Sequence, residues 1–153
     1  MKSLFLYNWQ VREEWFALCE QLPCEELLKH RTGGVGSILA TLIHIIDVEY
    51  SWFCAIHDKE DRPIEASSFQ TIEAVKALSD SLQSELQSYL HDDMDRESQH
   101  LVDVPWDNAM YSRSAIYAHL IAHEIHHIGQ LSVWAREAQL EPVSAGFVGR
   151  KLG

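Results

Sequence analysis

Basic residues are scarce in this chain, cysteines are scarcer, and no apolar run is long enough to cross a bilayer. Each shortage removes a class of function. Twelve Lys and Arg against twenty-three Asp and Glu leave a formal charge of -11. That surplus repels phosphate backbones and gives no electrostatic footprint for nucleic acid or anionic membrane, so the expected partner is a small-molecule substrate. Cys19, Cys24 and Cys54 are odd in number and lack the pairing of a zinc ribbon, which points to free thiols in a reducing compartment, the cytoplasm, rather than to a disulfide framework. No uninterrupted stretch approaches the roughly 20 apolar residues of a membrane span. Asn8, Gln10 and Arg12 interrupt the opening segment before it reaches the length of a signal-peptide core. The chain reads as soluble. With 153 residues and 46% hydrophobic content it is the size of a single domain, 1–153, that buries one core of its own.

What is present in abundance is helical periodicity. Over residues 3–22, Leu4, Val11, Trp15, Leu18 and Leu22 form one stripe, with Phe5, Trp9, Phe16 and Cys19 beside it, and Pro23 closes the segment. Residues 25–29 suit one further turn. Gly33, Gly34 and Gly36 mark a loop, after which Ser37 stands at the N-cap of a second helix over 38–56. Residues 57–67 read as an exposed connection. A third helix begins near Ser68 or Thr71 and carries Ile72, Val75, Leu78, Leu82, Leu86 and Tyr89 at helical spacing as far as residue 91. Residues 92–111 are polar, contain Pro105 and show no sustained period, so they form a long crossover with at most a local hairpin around Trp106; their length suggests a lid. The fourth helix begins near Ser112 or Ser114 and runs to about 139, ahead of Pro142. Four helices of roughly 20 residues, each about 30 Å long, make an all-α four-helix bundle the natural architecture, with the long crossover between helices three and four.

The chemistry concentrates in His123, Glu124, Ile125, His126 and His127. Residues four apart lie on the same helical face, so the rings of His123 and His127 both reach a single ion, and His119 continues the row. Imidazole binds such ions in its neutral form. Two ligands from one helix do not complete a site. His44 is the natural third, because it lies in an apolar run where an unpaired polar ring is costly. His30, His57, His91 and His100 sit among charges, glycines or turn residues and read as solvated. His126, about 100 degrees around the helix from His127, points away from the ion. His119 suits an outer role, hydrogen-bonding a ligand or water.

Two plainer readings compete. The block matches H-E-x-x-H, in which the glutamate of a metalloprotease is the base. However, no histidine follows His127, the later carboxylates Glu137 and Glu141 sit near the helix end, and no sheet is evident to align a peptide. Alternatively, the histidines are ordinary polar residues of a bundle helix, although four within nine residues, three of them in one row, argue against accident. The aromatic stripes, including Trp9, Phe16, Tyr50, Trp52, Phe53 and Trp134, read as core, and the acidic excess as solvated helix surface.

His44, Glu49 and Trp52, followed far downstream by His119, His123, His127, Gly129, Gln130 and Leu131, resemble the DinB-like (DNA-damage-inducible) family of four-helix-bundle metalloproteins over nearly the whole chain. The most specific element is the last block, which in the family commonly reads H-x-x-x-H-R-G-Q with another histidine one turn upstream. The resemblance implies that His44, His123 and His127 are the metal ligands. It also implies a homodimer, and a reaction that uses a low-molecular-weight thiol such as bacillithiol, mycothiol or glutathione, with metal-dependent hydrolysis as the alternative. Ile128 stands where the family often has arginine, so any anion contact made by that arginine is absent. Gly129 would then mark the close approach of a neighbouring helix. The family shares a name with a DNA polymerase but is unrelated to it.

Three neutral imidazoles leave positions open on a divalent ion, as in catalytic rather than structural sites. Zinc and nickel come first, with iron, manganese and cobalt as alternatives, because such a site accepts several first-row ions. The expected function is a metal-dependent enzyme that activates a thiol cofactor or water. Glu124 is a candidate base, Asp47 a candidate acceptor one turn after His44, and Trp106 a candidate pocket wall.

Overall fold

The computed structural model describes residues 1–90 and 99–152. The expectation for His91 and the first part of the 92–111 crossover fall outside those residues.

Helix starts follow the capping residues. The Ser37 side chain accepts a hydrogen bond from the Ala40 N–H at 3.1 Å and opens α3, Ile38–Ile56. Thr71 does the same for Ala74 at the start of α4, Ile72–Leu86, and Ser112 for Ala115 at the start of α5, Arg113–Glu137. The chain opens on α1, Lys2–Cys19, and a single turn, α2, Cys24–Leu28, follows Pro23. A short 3-10 turn, Gln87–Tyr89, continues α4. Just beyond the end of α5, Gln139, with a φ of +61°, breaks the helical path three residues before Pro142.

The four long helices pack as a bundle in which α3 lies most extensively against α5 and also contacts α2 and α4, while α1 packs on α4 and α5. Trp15, Phe5, Phe16 and Phe53 are almost wholly buried, and Phe5 meets Phe53 and Tyr117 edge-on at 5.7 and 5.8 Å. Burying each such side chain contributes roughly 1.5–3 kcal/mol. By length and composition α3 would pass as a membrane span, but 61% of that window is buried inside the molecule, which is the signature of a core helix.

The crossover contains more order than its sequence suggested. Strand β1, Leu101–Val104, pairs antiparallel with β2, Ala109–Ser112, in the register Leu101↔Ser112 to Val104↔Ala109. Val102 and Val104 are buried, with β1 on α3 and β2 on α5, so the hairpin is pinned to the two helices that carry the histidines. Asn108 takes the left-handed conformation, φ +51°, that closes its turn.

Candidate metal centre

His123 and His127 stand one turn apart on α5, and His44 faces them from α3. The Nε2 atom of His123 lies 3.1 Å from Nε2 of His44 and 3.1 Å from Nε2 of His127. Among the described residues these three form the group of metal-ligating side chains whose donor atoms all fall within 4.8 Å of one another. His127 is buried and the other two are half-buried.

The arrangement suits an ion better than it suits hydrogen bonds. The one Nε2 position of His123 holds either a proton or a lone pair, so it makes a proper hydrogen bond with only one of its two neighbours. A single cation accepts all three lone pairs. At bond lengths near 2.0–2.1 Å a tetrahedral ion places its nitrogens about 3.3–3.4 Å apart, close to the observed spacing. Protonation is already disfavoured: burial, and then the neighbouring rings of His127 and His44, push His123 down to about 4. Burial and His127 also lower His44. Two of the three rings are therefore held neutral, the form that binds metal.

The orientation of His127 is fixed from behind. Its Nδ1 donates to Oε1 of Gln130 at 2.7 Å, which leaves the lone pair on Nε2, facing His123. The Gln130 amide nitrogen donates to Nε2 of His126 at 3.1 Å, so His126 lies outside the triad, on the exposed side expected for it. His119 is also exposed; its ring sits between Trp52 and His123 at centroid distances of 5.4 and 5.7 Å. Trp52 in turn meets Trp106 of the hairpin turn at 5.1 Å and Tyr111 at 6.3 Å. An aromatic wall thus stands along the histidine row, and Trp106 keeps 52% of its surface exposed there.

Glu124, the candidate base, is buried. It is turned away from the triad into the core, where Nε and Nη2 of Arg12 donate to its two oxygens at 2.8 and 2.7 Å. Nη1 and Nη2 of the same guanidinium reach Glu49 at 3.0 Å each, and Trp9 Nε1 donates to Glu49 at 2.9 Å. Burial opposes the charge on Arg12, but Glu124 and Glu49 outweigh it and hold the guanidinium charged; burial raises Glu124 despite Arg12. This ionic knot joins α1 to α3 and α5 immediately behind the ligands. It also corrects the reading of the acidic residues as uniformly solvated. A charge inside an otherwise apolar stripe, Arg12 beside Val11 and Trp15, was the available signal.

Other expectations need amendment. His57 is half-buried, stacked on Tyr89 at 3.9 Å and Phe53 at 6.1 Å, whereas His30 and His100 are exposed as expected. Among the described residues Gly129 does not mark a close helix contact: a Cβ there would find nothing within 4 Å, and it borders a cavity of about 200 Å³ lined by Tyr7, Val11, Ile128 and Ser132 among others. Asp47 is half-buried, and burial followed by the charge of Asp61 raises its carboxyl. Ile128 is buried. All three cysteines are free.

Comparison with known proteins gives the family. The profile of the DinB family matches residues 1–151. A protein of Bacillus subtilis (strain 168), described as "Uncharacterized protein YizA", is 55% identical over 153 residues, covering 99% of this chain and 96% of its own length. The whole-chain match and the close relative make one conclusion plain: the chain belongs to the DinB family.

Proposed function

We propose that the protein is a metal-dependent enzyme whose ion, zinc or nickel first, is held by His44, His123 and His127 and activates a low-molecular-weight thiol for transfer to a small electrophilic substrate. The observation that carries this reading is the convergence of three Nε2 atoms from two helices in a group that, among the described residues, contains no fourth protein ligand. An ion bound by three neutral imidazoles keeps an open position, where it lowers the pKa of a thiol or water that enters. His127 is oriented for this by Gln130, and His44 and His123 are kept neutral by burial.

Thiol transfer is placed ahead of hydrolysis because Glu124, the base that H-E-x-x-H hydrolysis requires, is sealed against Arg12. The aromatic wall of Trp52, Trp106 and Tyr111 would hold the organic part of the substrate and keep water from that side. The acidic surface favours a small molecule over nucleic acid, and the free thiols favour the cytoplasm. A second copy of the chain is assigned to the shallow apolar groove of Met1, Leu4, Ala118, Ile121, Ala122 and Ile125 on α1 and α5, in line with the homodimer that the family resemblance implies.

The test is turnover by zinc- or nickel-loaded protein offered a panel of electrophiles with bacillithiol, mycothiol or glutathione, beside a panel of esters and amides. Thiol-dependent conjugation, abolished in His44→Ala, supports the reading. Ester or amide cleavage without thiol replaces transfer by hydrolysis, and stoichiometric metal binding with no turnover on either panel overturns the assignment as an enzyme.

A further inference from the structure

The glycine turn before α3 reaches the triad through a single oxygen atom. Gly33, Gly34 and Gly36 all take positive φ, +89°, +52° and +96°, so a side chain at any of them would strain the backbone. Only at Gly34 would a side chain also have to displace its neighbours. A Cβ there would lie 2.6 Å from Oε1 of Gln130 and 3.0 Å from the Trp134 ring, whereas Gly33 has nothing within 4 Å and Gly36 meets only His30 at ordinary contact distance. That oxygen is the acceptor for His127 Nδ1. The turn is anchored where it matters: the Arg31 backbone N–H donates to the Gly36 carbonyl at 2.7 Å, and the Arg31 guanidinium joins Glu26 of α2 to Glu137 at the end of α5, at 2.7 and 3.2 Å.

An imidazole offers its Nε2 lone pair to a metal only while the proton sits on Nδ1, and the hydrogen bond at Nδ1 decides which tautomer prevails. We propose that Gly34 and Gln130 are positioning residues of the metal centre: Gly34 leaves the space in which the Gln130 carbonyl oxygen holds His127 as the Nδ1-protonated tautomer. The inference rests on the metal-centre reading for its consequence and on geometry alone for the tautomer. It extends the site beyond the helices that carry its ligands, to a turn 93 positions before His127 in sequence.

The experiment compares wild type with Gly34→Ala, Gln130→Leu, Gln130→Glu and Gly33→Ala. Metal affinity is measured by competition for zinc against a chromophoric chelator, and the tautomer of His127 by long-range proton–nitrogen correlation on metal-free protein with labelled imidazole. Removing an outer partner of a metal-bound histidine typically costs about 10–100-fold in affinity. That loss is expected for Gly34→Ala and Gln130→Leu, together with a shift of the His127 proton from Nδ1 toward Nε2. Gln130→Glu keeps an acceptor and should keep both affinity and tautomer. Gly33→Ala carries comparable backbone strain without the clash and should leave both unchanged. Should Gly34→Ala fail to fold, Gln130→Leu and Gln130→Glu alone decide the matter. Wild-type affinity and tautomer in Gln130→Leu would overturn the proposal, as would equal losses in Gly33→Ala and Gly34→Ala. If wild type binds no ion but the tautomer still follows Gly34 and Gln130, the metal reading fails while the positioning role stands.

Discussion

Replacing Arg12 by methionine removes one guanidinium and leaves two buried carboxylates facing each other. Arg12, Glu49 and Glu124 are 1%, 5% and 3% exposed, so water does not take the place of the lost partner. Four charge-assisted hydrogen bonds disappear, while Glu49 keeps the bond from Trp9. Uncoupling a buried pair in this way costs about 3–5 kcal/mol. The main escape is protonation of one carboxyl, and each unit of raised pKa costs about 1.4 kcal/mol, which leads to a penalty of the same size at neutral pH. For a domain of this length the loss lowers Tm by roughly 6–20 °C. The pH dependence has a definite sign. A carboxyl whose pKa is raised in the folded state stabilises below its unfolded value and loses that stabilisation as pH rises through the folded one, so the deficit of Arg12→Met relative to wild type should be smallest in mild acid and grow toward neutrality. Adding Glu49→Gln and Glu124→Leu, which spares the Trp9 bond, should recover most of the loss, because an ion cluster replaced as a unit is close to neutral. Thermal melts of the three proteins from pH 5 to 8 are the assay. A Tm for Arg12→Met within about 2 °C of wild type, or a triple variant no better than the single one, would refute the reasoning.

Zinc or nickel should stabilise the fold by about 2.7 kcal/mol at a free concentration one hundred times Kd, and so raise Tm, and a chelator should reverse this; His44→Ala should show neither effect in a melt followed with and without metal. The metal-free protein should lose stability as pH falls from about 6.5 toward about 4, because burial lowers His44 and His123 in the folded state and protons then favour the unfolded chain; His123→Phe should flatten that slope in urea titrations at stepped pH. Ile125→Glu, at a position 45% exposed in the apolar groove, should convert the proposed dimer to monomer by light scattering while metal stoichiometry stays unchanged.

The helices were legible because their signals are local. A capping side chain and the residues it satisfies lie three positions apart, as with Ser37 and Ala40, and an apolar stripe repeats every turn. The triad was legible for the same reason: His123 and His127 share a face by spacing alone, and His44 stood out against its apolar surroundings. The hairpin was nearly silent, since each strand has four residues and the alternation rests on Val102 and Val104, too short a pattern to separate from loop. Arg12 and Glu124 were read apart because their partnership spans 112 positions, and a glutamate on a helix most often faces water. A separation of 96 positions likewise hid the link from Gly34 to Gln130. Gly129 misled in the other direction: a glycine inside a helix suggests close packing, and here it borders a cavity instead.

Diffraction from crystals grown with zinc or nickel, recorded on both sides of the metal absorption edge, tests the central claim most directly. The account predicts one anomalous peak per chain at about 2.0–2.1 Å from the Nε2 atoms of His44, His123 and His127. A peak bound elsewhere, or fully metallated crystals in which any of these three rings is not a ligand, would contradict it.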